Sequence, residues 1–192
     1  TREPNFSSKN AVAGSEVASP QYFKTVIGAP IKEILTAVNE KTIDDNQHKR
    51  IIDGNPLVGR KVSINDYLGL HTTEVCVLPE GDDIHEAFGW ILPRLKQHSA
   101  NRSYLSWLFK SKSYSPDCRI KGGQRHMIMS GEYDKVFAMD IFPEYLIKAI
   151  ITGDIDKQEE LGIYEVAPED FAVAEYVDSS KLDLKRIVRE GL

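Results

Sequence analysis

Cysteine is nearly absent from this chain: Cys76 and Cys118 are the only two in 192 residues. So few thiols, far apart, exclude a disulfide framework and fit a reducing compartment. Long apolar runs are missing too. No stretch approaches the ~20 residues a membrane-spanning helix needs, and no signal peptide opens the sequence. An excess of base is also lacking. With 24 Lys and Arg against 29 Asp and Glu, the net charge is −5, which argues against general nucleic-acid binding as the main role. Histidine is sparse and scattered over His48, His71, His85, His98 and His126, none forming an H-x-x-x-H or H-E-x-x-H pair for zinc. G-x-G-x-x-G, a P-loop and a G-x-S-x-G elbow are all absent, and neither cysteine has a histidine close in sequence. The composition is otherwise ordinary for a globular protein, 41% hydrophobic and 28% charged. On these grounds no catalytic, cofactor-binding or metal-binding residue is nominated.

What is present is a mixed α+β pattern. Residues 1–10 read as a polar lead-in. Ala11-Val12-Ala13 and Tyr22 to Ile27 read as strands separated by Gly14-Ser15 and Ser19-Pro20. Gly28-Ala29-Pro30 opens a helix, with Ile31, Ile34, Leu35 and Val38 along one face. After a polar loop from Lys41 to Lys49, short strands are expected at Arg50-Ile51-Ile52, at Pro56-Leu57-Val58-Gly59 and at Thr73 to Val77. A strand pair, one crossing helix and further strands is the order of a β-grasp domain, placed at residues 1–79. Gly28-Ala29-Pro30 offers backbone N–H groups that suit an anion, but helix starts are far commoner than anion sites. Asp53-Gly54-Asn55-Pro56 reads as a turn rather than a phosphate loop.

Residues 80–136 form the least regular part, expected to be a linker ending in a β-hairpin from Lys121 to Val136. His85-Glu86 with Asp82-Asp83 suggests a metal cluster less readily than a solvated acidic loop after Gly81. Phe88 to Pro93 and Tyr104 to Phe109 are apolar patches, the second a short helix. Such patches more often hold a linker against its neighbours than bind a ligand or partner. Residues 137–192 read as a small helical domain. Asp140 is placed to cap a first helix with Pro143 in its first turn, and Leu146, Ile147, Ile150 and Ile151 follow at helical spacing up to Gly153. A second helix ends at Gly162, and a third opens at Pro168-Glu169-Asp170. The last runs from about Ser180, with Leu184, Ile187 and Val188 on one face. Glu159-Glu160 reads as a solvated helix surface. Charge is segregated: residues 94–135 carry nine Lys and Arg against three Asp and Glu, net +6, while 139–192 carry six against thirteen, net −7. That asymmetry suits docking to an assembly or a membrane surface, and equally two solvated faces that attract each other.

Gly153-Asp154, Leu161-Gly162, Glu169-Asp170-Phe171-Ala172 and Tyr176-Val177 form a recognisable set. With Gly131 to Val136, Met139-Asp140-Ile141, Pro143 and Phe88-Gly89-Trp90, they resemble the C-terminal region of the NQRA subunit of the bacterial Na+-translocating NADH:quinone oxidoreductases (Na+-NQR). The resemblance extends over nearly the whole chain. It implies a β-grasp module of the soluble-ligand-binding type, followed by a helical region similar to the iron–sulfur domains of electron-transport subunits. Those domains hold iron through Cys thiolates. Some NQRA relatives keep a Cys pair near the Tyr-Val step; here Ala174 and Asp178 stand there, and Met139 to Leu192 contains no cysteine. The resemblance therefore implies a fold stripped of its cluster, with no cofactor in this part, although the complex as a whole uses NADH, flavins and quinone. It further implies a peripheral place on the cytoplasmic face of the bacterial inner membrane, other subunits of the sodium pump as partners, and a scaffold or docking role that extends to quinone. Because the chain opens at Thr1 without an initiator Met, a fragment with a missing N-terminal portion is expected. A stand-alone β-grasp module for a soluble ligand is the alternative, with the helical region as lid or dimer contact.

Overall fold

The structure is a computed structural model describing residues 5–38, 48–82, 91–95, 97, 98, 102, 104–108, 114 and 116–192. The described parts of Thr1–Ala87, Pro93–His98 and Ser106–Arg119 form one compact unit, here the sheet unit. Those of Phe88–Leu92, Ser99–Leu105 and Ile120–Leu192 form the other, the helical unit.

In the sheet unit, β1 (Ser7–Ala13) and β2 (Gln21–Val26) make an antiparallel hairpin, and α1 (Ile31–Val38) follows. β3 (Lys49–Asp53), β4 (Arg60–Val62) and β5 (Glu74–Pro79) complete a five-stranded sheet of order β2-β1-β5-β3-β4. β1 and β5 pair in parallel, and the other neighbours are antiparallel. Side chains alternate across a strand, so the two faces of β5 have separate tasks. Val75 and Val77 join Ile31, Ile34 and Leu35 of α1 in the main core, with Val12, Val62 and Leu68. Cys76 and Leu78 face the other way with Ile52, and there Cys118 packs over them, its N–H donating to Pro79 O at 3.1 Å. Burying side chains of this kind contributes on the order of 1.5–3 kcal/mol each. The turn after β1 is pinned by Gly14, whose φ is +127°: a Cβ there would come within 2.0 Å of Val77 O.

One expected strand is not a strand. Pro56 to Gly59 is a turn, because Asn55 Oδ1 accepts from Leu57 N (2.9 Å) and Val58 N (3.0 Å), and Gly59 N returns to Asn55 O (2.8 Å). Asparagine closes such Asx turns in place of a ladder, and β4 begins only at Arg60.

In the helical unit, α2 (Pro143–Thr152), α3 (Ile155–Glu160), α4 (Ala172–Val177) and α5 (Leu184–Gly191) surround Leu146, Ile147, Phe171, Leu184 and Val188. Phe137 and Phe171 stack with ring centroids 4.8 Å apart. α2 carries Pro143 in its first turn and ends at Gly153, left-handed at φ 71°, as the sequence dictates. Asp154 caps α3 by accepting from Lys157 N at 3.0 Å. Asp140 does not cap α2; Phe142 occupies that position without a side-chain bond, two residues nearer the helix than Asp140. The last helix starts at Leu184 rather than near Ser180, since Asp183 is its cap and accepts from Arg186 N.

The hairpin expected from Lys121 to Val136 is absent, and no strand forms among those residues. Its backbone finds partners in the helical unit instead: Arg125 N donates to Ser180 O (2.9 Å) and Ile128 N to Ser180 Oγ (3.1 Å). Alternating apolar residues license a ladder only if a second strand is available; here Ser180 supplies the acceptors.

Candidate functional site

The positions weighed from sequence resolve as follows. At Gly28-Ala29-Pro30, Ile31 N donates to Asp66 O (3.0 Å), Leu68 N donates to Ala29 O (3.0 Å), and Pro30 bridges to Tyr67. The helix start is stitched to the loop after β4, which favours the turn reading. Asp53, in the other turn considered, is a node: its carboxylate accepts from Thr72 Oγ1 (2.5 Å), Gly69 N (3.2 Å) and Arg60 Nε (3.2 Å). Asp83, His85, Glu86 and the patch Phe88-Gly89-Trp90 lie outside the described residues. Among the described residues, no three His, Cys, Asp or Glu side chains are grouped to hold a metal ion. His48 Nδ1 is 2.6 Å from Asp82 Oδ1, while His98 stacks edge-on with Tyr114 at 5.3 Å.

The densest charged cluster lies at one end of the sheet. Glu80 receives Arg50 in a bidentate pair (2.7 and 2.6 Å) and Lys61 Nζ at 3.1 Å. This follows from register. Arg50 pairs with Leu78 and Ile52 with Lys61, so Arg50 and Lys61 reach the face that Glu80 also occupies. The hydrogen bonds from Arg50 hold the Glu80 carboxyl down at about 2. Burial pushes the nearby thiols of Cys76 and Cys118 up, keeping them protonated and poorly nucleophilic. The cluster therefore clamps β3, β4 and β5 together rather than presenting an acid or a nucleophile. Lone scattered charges in sequence gave no sign of it; only the pairing of β3 with β5 assembles it.

The helical unit contains a second polar cluster, this one in its interior. Asp178, only 1% exposed, accepts from Ser180 N (3.0 Å) and Leu182 N (2.8 Å). Glu144 accepts from Ser130 N (3.2 Å) and Oγ (3.4 Å). Tyr133 is fully buried near Asp178, though its hydroxyl falls outside hydrogen-bonding geometry. Burial, then the Asp178 charge, raises that phenol far above its ordinary range. Such groups satisfy backbone that has no ladder.

Outside, the same unit exposes large apolar residues on and around α2 that sequence reasoning missed. Ile151 reads as core from its spacing but stands 51% exposed, and Phe142, Tyr145 and Ile155 are exposed at 58–67%. The rings of Phe142 and Tyr145 meet edge to face at 6.1 Å. Exposed Lys148 and Lys157 and exposed Asp140, Asp154 and Asp156 lie close to these residues in sequence. Sequence periodicity carries only part of this pattern: Phe142 and Tyr145 are three residues apart, whereas Ile151 is six beyond Tyr145 and Ile155 follows the break at Gly153. That part was hidden because Leu146, Ile147 and Ile150 offer the same helix a second apolar face. Exposed large apolar residues among charged ones are the chemistry of a contact surface.

Comparison with known proteins places the chain. A family model described as the NQRA C-terminal domain matches residues 11–63. The NQRA subunit of the Na(+)-translocating NADH-quinone reductase of Haemophilus influenzae is 34% identical over 183 residues, 95% of this chain and 39% of that protein. The corresponding protein of Neisseria meningitidis serogroup B is 33% identical over 183 residues, and that of Shewanella frigidimarina 35%, each match covering 95% of this chain and 40% of the relative. The chain belongs to this NQRA family. It spans about two fifths of the length of the curated relatives it matches.

Within this NQRA-family chain, no helix among the described residues is long and apolar enough to cross a membrane. Ala174 is fully buried in the helical core, and Asp178 is committed to Ser180 and Leu182. Neither residue offers a thiolate, and both cysteines of the chain belong to the sheet unit, so these residues do not fit an iron–sulfur cluster. Of the aromatic patches, Leu105–Trp107 forms a single 3-10 turn in which Trp107 is half exposed.

Proposed function

We propose that this chain acts as part of the NQRA subunit of a Na+-translocating NADH-quinone reductase, serving as a scaffold and docking segment at the cytoplasmic face of the membrane. The observation that carries the proposal is similarity to NQRA proteins over 95% of the chain. Its sheet order, β2-β1-β5-β3-β4 with α1 after the first hairpin, supports a β-grasp module. The helical unit is read as a relative of iron–sulfur domains that has exchanged thiolates for a buried Asp178 and an apolar packing position at Ala174. Electron carriers then reside elsewhere in the complex, and this part positions its neighbours. The exposure of Phe142, Tyr145, Ile151 and Ile155 supports a contact with a neighbouring protein of the complex. The nearby Asp140, Asp154 and Asp156 disfavour an anionic lipid surface there and suit a basic protein partner.

Co-purification with the remaining subunits tests this reading. Replacing Phe142 and Tyr145 by Ser is expected to leave the fold intact, since both side chains face solvent, and to reduce recovery of the assembled complex severalfold. Full recovery would remove these residues from the interface. A contribution to quinone binding is tested separately, by quenching of Trp90 and Trp107 fluorescence with a water-soluble ubiquinone analogue. Saturable quenching would make the half-exposed Trp107 region part of a quinone site; none would leave this segment as scaffold.

A further inference from the structure

The outer face of the β1–β2 hairpin has an arrangement that the free protein does not explain. Register places Lys9 directly opposite Lys24, with Ala11 opposite Tyr22 and Ser7 opposite Val26 on the same face. Like charges facing across an antiparallel pair repel. Neither lysine has a hydrogen-bond or ion-pair partner among the described residues, and both are exposed. Ile27 N donates to Phe6 O at 2.9 Å, and Ala11 N donates away from β2, to Thr73 O at 2.9 Å. These two bonds fix the phase of the ladder. Lys9 and Lys24 form a non-hydrogen-bonded pair, in which side chains stand closest, and the N–H and C=O groups of Tyr22 and Lys24 point away from β1. β2 is the end strand of the sheet, so those groups meet no further strand among the described residues. Along this open edge Tyr22 is 85% exposed and Val26 is more than half exposed.

We propose that β2 is a docking edge for an extended acidic segment of a partner chain, which adds as a sixth strand. Its backbone would pair with Tyr22 and Lys24, its carboxylates would sit over Lys9 and Lys24, and Tyr22 and Val26 would pack against its alternate side chains. A second copy of this chain is disfavoured, because two such edges would bring four lysines together. A lysine on an edge also guards against stray pairing. That function explains Lys24 but not its facing Lys9, nor the large apolar residues beside it. The inference rests on membership of the multisubunit complex proposed above.

The test is amide hydrogen exchange on the NQRA protein carrying this chain, by itself and in the purified complex, with wild type and Lys24→Glu. Exchange at Tyr22 and Lys24 is expected to slow at least tenfold on assembly. Lys24→Glu turns a repelling pair into an attracting one, so the isolated protein should melt at a higher temperature while its affinity for the other subunits falls at least tenfold. Assembly with unchanged exchange at both amides overturns the docking edge and leaves the complex reading standing. Failure of the wild type to assemble overturns both. Binding of phosphatidylglycerol vesicles without amide protection assigns the lysines to a lipid surface and overturns the strand proposal.

Discussion

The sheet unit and the helical unit meet the same obligation, satisfying buried backbone and polar groups, in opposite ways. Strands of the sheet satisfy one another, so polar side chains are free to gather at the end of the sheet, where Arg50 and Lys61 close on Glu80. The helical unit includes the irregular run from Lys121 to Val136, which has no ladder. Its N–H groups are taken by Ser180 and Glu144, and the chain beyond α4 is held by Asp178. The densest charged cluster therefore lies at the rim of the sheet unit, where the buried carboxylate of Asp53 serves the loop at Gly69 and Thr72, while the helical unit keeps Asp178 and Glu144 in its interior. The lesson is that a buried carboxylate in this protein marks missing secondary structure before it marks chemistry.

Backbone geometry should separate the units most sharply. Gly14→Ala in the sheet unit forces a Cβ to 2.0 Å from Val77 O at a φ of +127°, and neither strand can move without breaking the β1–β5 pairing. Chemical denaturation should show a loss of about 4 kcal/mol or more. Gly153→Ala in the helical unit meets no atom within 4 Å and carries only the left-handed strain of φ +71°. About 1 kcal/mol is expected there. Equal losses at the two glycines would break the comparison.

The interior carboxylate comes next. Asp178→Ala leaves the buried Ser180 N–H and the part-buried Leu182 N–H without their acceptor and should cost about 3 kcal/mol. Near-ultraviolet circular dichroism and exchange at Ser180 and Leu182 should report loosening of the helical unit first. A loss spread evenly over both units would contradict the division.

The rim cluster should express itself through acid. Glu80 is held at about 2 in the folded chain, below its ordinary value of 4.5. A depressed carboxyl stabilises the fold fully above its unfolded pKa, and that contribution disappears as pH falls through the folded value. The loss should occur between about pH 4.5 and 2 and amount to roughly 2–3 kcal/mol, trimmed by the partial exposure of Lys61. Glu80→Gln should flatten that part of the stability–pH curve; an unchanged curve would remove the cluster from the account.

Much of this fold was legible in the order of residues. α1 with Ile31, Ile34 and Leu35 inward, α2 between Pro143 and Gly153, and the inward face of α5 follow from short-range periodicity and capping. Local turn chemistry overrode a strand reading at Pro56 to Gly59, because the Asn55 side chain competes with the ladder. The expected hairpin at Lys121 to Val136 failed for a longer-range reason: its partner is Ser180, far along the chain.

By itself the sequence determined the α+β class, the helices, the scarcity of thiols and the kinship with NQRA, since these depend on neighbours in the chain or on the residues as a set. Tertiary structure alone decided the parallel β1–β5 pairing, the Glu80 clamp, the side of α2 on which Ile151 stands and the confrontation of Lys9 with Lys24. The pairing, the clamp and the facing lysines depend on register between segments that are separate in sequence, and the exposure of Ile151 depends on which side of α2 the core covers. A one-residue slip in register reverses every side chain of a strand, and periodicity within one segment carries no information about its alignment with another.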